Sequence, residues 1–342
     1  MAITIKDVAK LAGVSPSTVS RVISKNQKIS LETTKKVEQA METLGYHPNL
    51  MAKSLVSRST KTIGLILPLS AEEVFLNPFF SEVLRGINAY LNYVGFDLLM
   101  SAGSTETEEK EAFNRLVFGG KVDGVILLTS REKEPMTPLL MERNFPFVII
   151  GRPKEEKDIF YVDNDNVKAS YDATVHLIEQ GHKRIGFVSG PRDLLVSRDR
   201  EDGYKKALQE YGIESRPDWI TEAKFLQESG YNAISFMLSL PERPTAIIVT
   251  DDIIGLGVLK GLYELGCKVP EEISIVGFNN ISMSELATPP LTTIDIGIYQ
   301  LGYTAAQLLI RQIKQEESVS RSVIVPHRLV VRKSTTSRLL DN

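Results

Sequence analysis

Cysteine is almost absent from this chain. Cys267 is the single thiol in 342 residues, which excludes an internal disulfide framework and a cysteine-rich zinc site. Long apolar runs are missing too. None approaches the ~18 residues of a membrane-spanning helix, and no signal-peptide pattern follows Met1. The expectation is a soluble, cytoplasmic chain without a membrane partner. Histidine is scarce, with four residues: His47, His176, His182 and His327. His176 and His182 match no metal-ligand spacing and read as surface or helix-end residues. There is no G-x-S-x-G elbow and no Walker sequence. GLGVLKG at 255–261 approaches a dinucleotide fingerprint, but Lys260 stands where the third glycine belongs, so helix packing explains those glycines better. Cys267 has only Lys268 beside it and reads as a buried or half-buried thiol. The acidic run TETEEKE at 105–111 reads as a solvated helix start. Without a catalytic constellation, the expectation is no enzyme, no cofactor and no metal.

What is present is a globular composition: 42% apolar and 24% charged residues, enough chain for two or three domains. The net charge of −3 conceals a division. Residues 1–60 hold nine basic and four acidic side chains, a balance of +5, and the remainder carries −8. A small basic head on an acidic body suggests a polyanion partner for the head.

The head reads as three short helices. Thr4 caps the first through Ala12, with Asp7 as the acidic partner of a capping box, and Gly13 supplies the left-handed stop. Ser15 caps the second, SPSTVSRVI, with Pro16 at its first position, where its missing N–H costs nothing. Ser30 caps the third, which Gly45 and Pro48 end. Val8, Ala9, Leu11, Val14, Val19, Val22 and Val37 are the expected miniature core. Two helices joined by a tight turn describe a helix-turn-helix, whose second helix enters the major groove of double-stranded DNA. It would present Ser15, Ser17, Thr18, Ser20 and Arg21, of which arginine suits guanine. The next segment, NLMAKSLVSR at 49–58, is too short for a stable isolated helix. It reads either as a linker or as a helix formed only when packed.

The stretch TIKDVAKLAGVSPSTVSRVISKNQKIS, followed by YHPNLMAKSLVSRSTKTIGLILP, resembles the head and hinge of the LacI/GalR family of bacterial transcription regulators. The resemblance extends through the rest of the chain. It implies that Pro16, Ser17 and Arg21 stand at base-reading positions and that Leu55 wedges into the minor groove at the operator centre. The full expected DNA-contacting set is Thr4, Ser15, Pro16, Ser17, Thr18, Ser20, Arg21, Asn26, Tyr46, Asn49, Ala52, Lys53 and Leu55. Pro16 departs from many members, because proline offers no side-chain donor to a base.

Beyond residue 60, apolar strands such as TIGLILP, DGVILLT, FPFVIIG, KRIGFVSG, TAIIVTD and SIVGFN alternate with helical stretches. That pattern indicates parallel sheets covered on both faces. The expected fold class is α + α/β: a helix-turn-helix head and hinge helix, then two doubly wound lobes like those of periplasmic binding proteins. The expected divisions are head 1–48, hinge 49–60, first lobe 61–162 plus 293–322, and second lobe 163–292 plus 323–340. The resemblance implies three crossings between lobes, near 161–164, 290–294 and 321–325, with VIVPHRLVVRK closing the second lobe.

Ligands of doubly wound sheets bind beyond the carboxyl ends of the strands. Phe79, Phe80, Asp163, Arg200, Phe225, Thr250, Asp251 and Asn279 are the candidate effector-binding residues. Flat aromatic faces with a few amides and charges suit a small polar ring. For Asp251, capping of the following helix is the stronger reading. Asn279 departs from many relatives, which carry aspartate there; an amide both donates and accepts, whereas a carboxylate only accepts. LPLSAEEVFLNPFFSEVLRGIN resembles maltose-utilisation repressors, with an extended loop before NPFF. The expectation is a homodimeric repressor on a pseudo-palindromic operator, controlled by maltose or a related sugar. No leucine heptad helix, by which some relatives form tetramers, is read after the last expected strand, so a dimer is the expectation. The alternatives are a regulator of another pathway that uses a corepressor or partner protein, and a sugar-sensing module with no DNA role.

Overall fold

The computed structural model describes residues 3–24, 26, 28–46, 59–67, 71–103, 105–128, 130–155, 158–316 and 320–338. The chain divides into two compact units, residues 1–60 and 61–342.

In the first unit the capping residues set the helices. Asp7 accepts from the Thr4 N–H (2.8 Å) and the Thr4 hydroxyl (2.7 Å), opening α1, Ile5–Ala12. Gly13, at φ 67°, stops it. Ser15 Oγ accepts from the Thr18 N–H at 3.1 Å and opens α2, Pro16–Ile23. Ser30 caps α3, Leu31–Leu44, and Gly45 at φ 62° ends it. Val8, Ala9, Val19, Val22, Val37 and Ala40 are buried together. Leu11 is the exception to the expected core, at 53% exposure. Ile5, Val8, Ala9 and Ala12 form the inward stripe at helical spacing, which leaves Leu11 on the outer face.

The second unit holds two six-stranded sheets. Its strands are β1 Thr62–Leu67, β2 Asp97–Ala102, β3 Gly124–Leu127, β4 Phe147–Ile150, β5 Tyr161–Asp163, β6 Ile185–Ser189, β7 Ile220–Glu222, β8 Ala246–Val249, β9 Ser274–Phe278, β10 Thr292–Asp295, β11 Ser322–Ile324 and β12 Arg328–Val330. The first sheet runs β11-β5-β4-β3-β1-β2 and the second β12-β10-β9-β8-β6-β7. Every pairing is parallel except β10 with β12. The inner strands β3, β4, β6, β8 and β9 are buried along their whole length, as helices on both faces require. Those helices are α4 Ala71–Leu76, α5 Pro78–Val94, α6 Glu106–Phe113, α7 Met136–Glu142, α8 Asn166–Glu179, α9 Leu195–Glu210, α10 Gln227–Ser239, α11 Asp252–Glu264, α12 Ser282–Leu286 and α13 Ile298–Ile313.

Several expectations shift. The segment before NPFF forms α4 rather than an extended loop. The crossings follow Asp163, Asp295 and Ile324, so the lobe boundaries move by one to three residues. VIVPHRLVVRK is two strands: Val323 and Ile324 complete β11 in the first sheet, and Arg328–Val330 forms β12 in the second. Pro326, which has no N–H to give a ladder, stands between them. The glycines of GLGVLKG are packing sites: a Cβ on Gly257 would run into the Gln227 carbonyl, and one on Gly261 into Ile234. His182 is buried rather than superficial, at 1% exposure between the Thr245 and Ser274 hydroxyls (3.0 and 3.1 Å). Burial holds its pKa down to about 4.

One side chain ties the crossings together. Asn164, just after the first, donates through Nδ2 to the carbonyls of Ile296 and Val325, both at 2.8 Å, just after the second and third.

Candidate functional site

On the head, Val19 and Val22 of α2 turn inward and leave Pro16, Ser17, Ser20 and Arg21 exposed. Ser17, Ser20 and Arg21 fall at i, i+3 and i+4 and share one face. Ser15 is occupied with capping, its Oγ within 2.8 Å of the Ser17 and 2.9 Å of the Thr18 hydroxyl. Thr18 is half-buried. Thr4 is exposed, with its hydroxyl on Asp7. Asn26 is exposed and accepts from the Lys28 N–H at 3.0 Å. Tyr46 packs half-buried on the head core. Asn49, Ala52, Lys53 and Leu55, and with them the expected hinge helix, lie outside the described residues.

In the second unit, the lobes enclose a cavity of about 340 Å³, within the size range of small-molecule sites. Phe79, Phe80, Asp163, Arg200, Phe225, Asp251 and Asn279 all line it. Phe79 and Phe80 meet edge to face with ring centroids 5.3 Å apart. Arg200 is 5% exposed. Its Nε donates to Asn166 Oδ1 at 3.0 Å, its Nη1 donates to the Thr250 carbonyl at 2.6 Å, and its guanidinium lies over the Phe278 ring at 4.4 Å. Burial lowers its pKa to about 10. Asp163 accepts from the Asn164 N–H (2.8 Å) and from Asn166 Nδ2 (3.0 Å), and burial raises its pKa to about 6.

Thr250 does not line the cavity. Its hydroxyl donates to the Val188 carbonyl at 3.1 Å, and its own carbonyl holds Arg200. The side chain of a strand-end residue follows the pleat, and here the pleat turns it into the sheet. Asp251 both caps and lines: Oδ1 accepts from the Ile253 N–H at 2.7 Å, and Oδ2 accepts from Asn77 at 3.2 Å and Asn279 at 2.9 Å. Beside it, Asp252 collects Ser284, Thr293 and the Ile281 N–H, fixing the loop after β9. Burial raises the Asp252 pKa to about 7.

The structure adds Asn77, Arg152 and Asn166 to the site. The Asn77-Pro78 pair is a helix-start signature that could have marked the first. Across the cleft, Arg152 pairs with Asp199 at 2.6 Å. Backbone bonds from Leu195 to Ser130 (3.0 Å) and from Glu132 to Asp193 (2.9 Å) join one edge of the lobes.

Residues 4–49 match the family model for bacterial regulatory proteins of the lacI family, and residues 174–335 match that of a periplasmic binding protein-like domain. The HTH-type transcriptional regulator MalR of Streptococcus pneumoniae is 37% identical over 96% of this chain and 99% of its own. The chain belongs to the LacI family. It is a DNA-binding transcription regulator, as its relatives in the LacI family are. The HTH-type transcriptional repressor PurR of Pasteurella multocida is 35% identical, covering 98% of this chain and 99% of that one. Among solved structures, a putative transcriptional regulator LacI from Bacillus cereus is 45% identical with a TM-score of 0.79, over 81% of this chain and 99% of that chain. A complex of the regulator CelR with cellobiose is 32% identical with a TM-score of 0.76, over 97% and 99%. The lac repressor dimer bound to operator is 28% identical with a TM-score of 0.87, over 98% and 100%. No helix among the described residues is long and apolar enough to cross a membrane.

Proposed function

We propose that this regulator represses a maltose or maltodextrin utilisation operon, and that the cleft takes a neutral sugar as effector. The observation that carries this reading is how the cleft spends its charge. Arg131 pairs with Glu109 at 2.8 Å, Arg152 with Asp199, and Arg200 with Asn166 and the Thr250 carbonyl. The lining lysine, Lys224, is exposed. An anionic effector would have to displace these pairs, whereas a neutral ring can lie against Phe79, Phe80 and Phe225. The name of the MalR relative and the cellobiose in the CelR complex support a sugar of disaccharide size.

On DNA, two copies would set their α2 helices in successive major grooves of a pseudo-palindromic operator. Pro16, Ser17 and Arg21 would read bases, and Leu55 would enter the central step. Effector and operator would then be coupled through their different affinities for two lobe arrangements. Titration calorimetry with maltose, cellobiose and purine bases tests the effector: maltose heat supports the reading, and binding to a purine alone overturns it. Selection from random DNA tests the head: absence of a preferred palindrome overturns the operator reading.

A further inference from the structure

The charges that line the cavity divide by exposure. Arg200, Asp163 and Asp251 are buried and hydrogen-bonded to protein groups. Arg131 and Arg152 are half-buried in their pairs with Glu109 and Asp199. Among the described residues that line the cavity, only Asp193 and Lys224 are exposed, so the cavity opens to solvent beside them. Neither side chain has a hydrogen-bond or ion-pair partner among the described residues. The charge of Asp193 is felt by Arg131, which Glu109 already holds.

The backbone of one lobe places both residues. The Leu194 N–H donates to the Pro191 carbonyl at 3.2 Å, closing the turn that carries Asp193. The Leu226 N–H donates to the Lys224 carbonyl at 2.7 Å, closing the turn that carries Phe225. The Ala223 N–H donates to the Ser189 carbonyl at 2.9 Å and ties the two loops where they leave the sheet. The Phe225 ring then lies against Gly190, where a Cβ would come within 2.5 Å of it. An aromatic platform is thus seated at the cavity wall, with an ammonium just before it in the chain and a carboxylate on the neighbouring loop. The ammonium offers three donors and the carboxylate two acceptor oxygens. That rim has no net charge, so it suits hydroxyls, which both donate and accept, and gives an anion no advantage.

We propose that Asp193 and Lys224 form an outer subsite that binds the hydroxyls of the sugar ring leaving the cavity, so that the regulator distinguishes a disaccharide or longer saccharide from a monosaccharide. The proposal rests on the reading of the cavity as a neutral-sugar effector site and adds a check of length to it. Hydrogen bonds to a charged partner are the stronger kind. At the rim the bound hydroxyls give up only part of their water, so each of the two residues contributes about tenfold in affinity.

The test is calorimetry on the full-length protein and on its Lys224→Met and Asp193→Asn variants. Both side chains are exposed and unpaired, so neither substitution disturbs folding. Lys183→Met, at an exposed lysine that does not line the cavity, is the control. Each rim variant should bind maltose about tenfold more weakly than the unsubstituted protein, and the control should bind it equally well. Glucose ends inside the cavity. Its inhibition constant, measured by displacement of maltose, should be the same in all four proteins. A rim variant that keeps its maltose affinity to within about twofold overturns the subsite, and so does an equal loss for glucose and maltose or a failure of glucose to displace maltose. If the unsubstituted protein itself gives no heat with maltose, the sugar reading falls and takes the subsite with it.

Discussion

A buried guanidinium needs acceptors on several sides, and Arg200 finds them in Asn166, in the Thr250 carbonyl and in the field of Asp251 and Asp163. Arg200→Ala should therefore weaken effector binding by ~100-fold or more in calorimetry. It should also lower unfolding stability by about 3 kcal/mol, because it leaves buried carboxyls uncompensated. Arg200→Lys should rescue little, since an ammonium cannot reproduce the planar fork. His182 gives a second residue-scale expectation. Its folded pKa lies near 4, below the ordinary 6.5, so the unfolded chain binds more protons between those values. The stability it contributes is complete above pH 6.5 and is lost as pH falls toward 4, on the order of 3 kcal/mol. Asp163 and Asp252, with raised pKa values, act in the opposite sense. Their contribution is present below the ordinary carboxylate range and is lost as pH rises through about 6 and 7. The measurement is thus the difference in urea midpoint between wild type and His182→Asn across pH 4–8, and a constant difference would refute the assignment. At this scale Asp251 and Asn279 were legible in the sequence because polar residues at strand ends announce a cleft; Arg200 at a helix start and Phe225 in a loop were weaker signals, and Asp163 came only from the family resemblance. Thr250 and His182 were not: which way a strand-end hydroxyl turns, and whether a histidine finds two buried hydroxyls, depends on residues far away in the chain.

Among the elements, the head helices could be read almost to the residue, because Thr4, Ser15 and Ser30 cap them and Gly13 and Gly45 stop them through purely local bonds. Ser15→Ala should destabilise the head by about 1 kcal/mol in thermal unfolding, the ordinary worth of an N-cap. Arg21→Ala removes an exposed side chain that no core residue needs. It should leave the head folded while cutting discrimination at one operator base by about 1–3 kcal/mol, read as competition between operator variants. Leu55→Ala should weaken operator binding yet leave effector affinity nearly intact; equal loss of both would refute the hinge reading. The strand pair β11 and β12 was less legible. VIVPHRLVVRK carries apolar residues on both sides of Pro326, His327 and Arg328, and only the separate partners of its two halves, β5 and β10, reveal that it is shared between sheets.

For the whole molecule, the charge division and the core clusters agree. The head buries its own apolar set, and the body carries cores of its own. A chain lacking residues 1–60 should fold, bind effector with unchanged affinity in calorimetry, and show no affinity for operator in a gel shift. Full-length binding should weaken steeply with salt, as contact between basic residues and phosphates requires. The two doubly wound lobes were legible from strand and helix alternation. The exact crossings were not, because they are settled where Asn164 meets Ile296 and Val325. Those crossings also bear on inheritance. The first sheet takes β1–β5 and β11, and the second takes β6–β10 and β12, so no single cut in the gene separates one lobe from the other. A cut near residue 60 does separate the head. Recombination can give this protein a new operator in one step, while its two effector-gripping halves must be inherited, and must change, together.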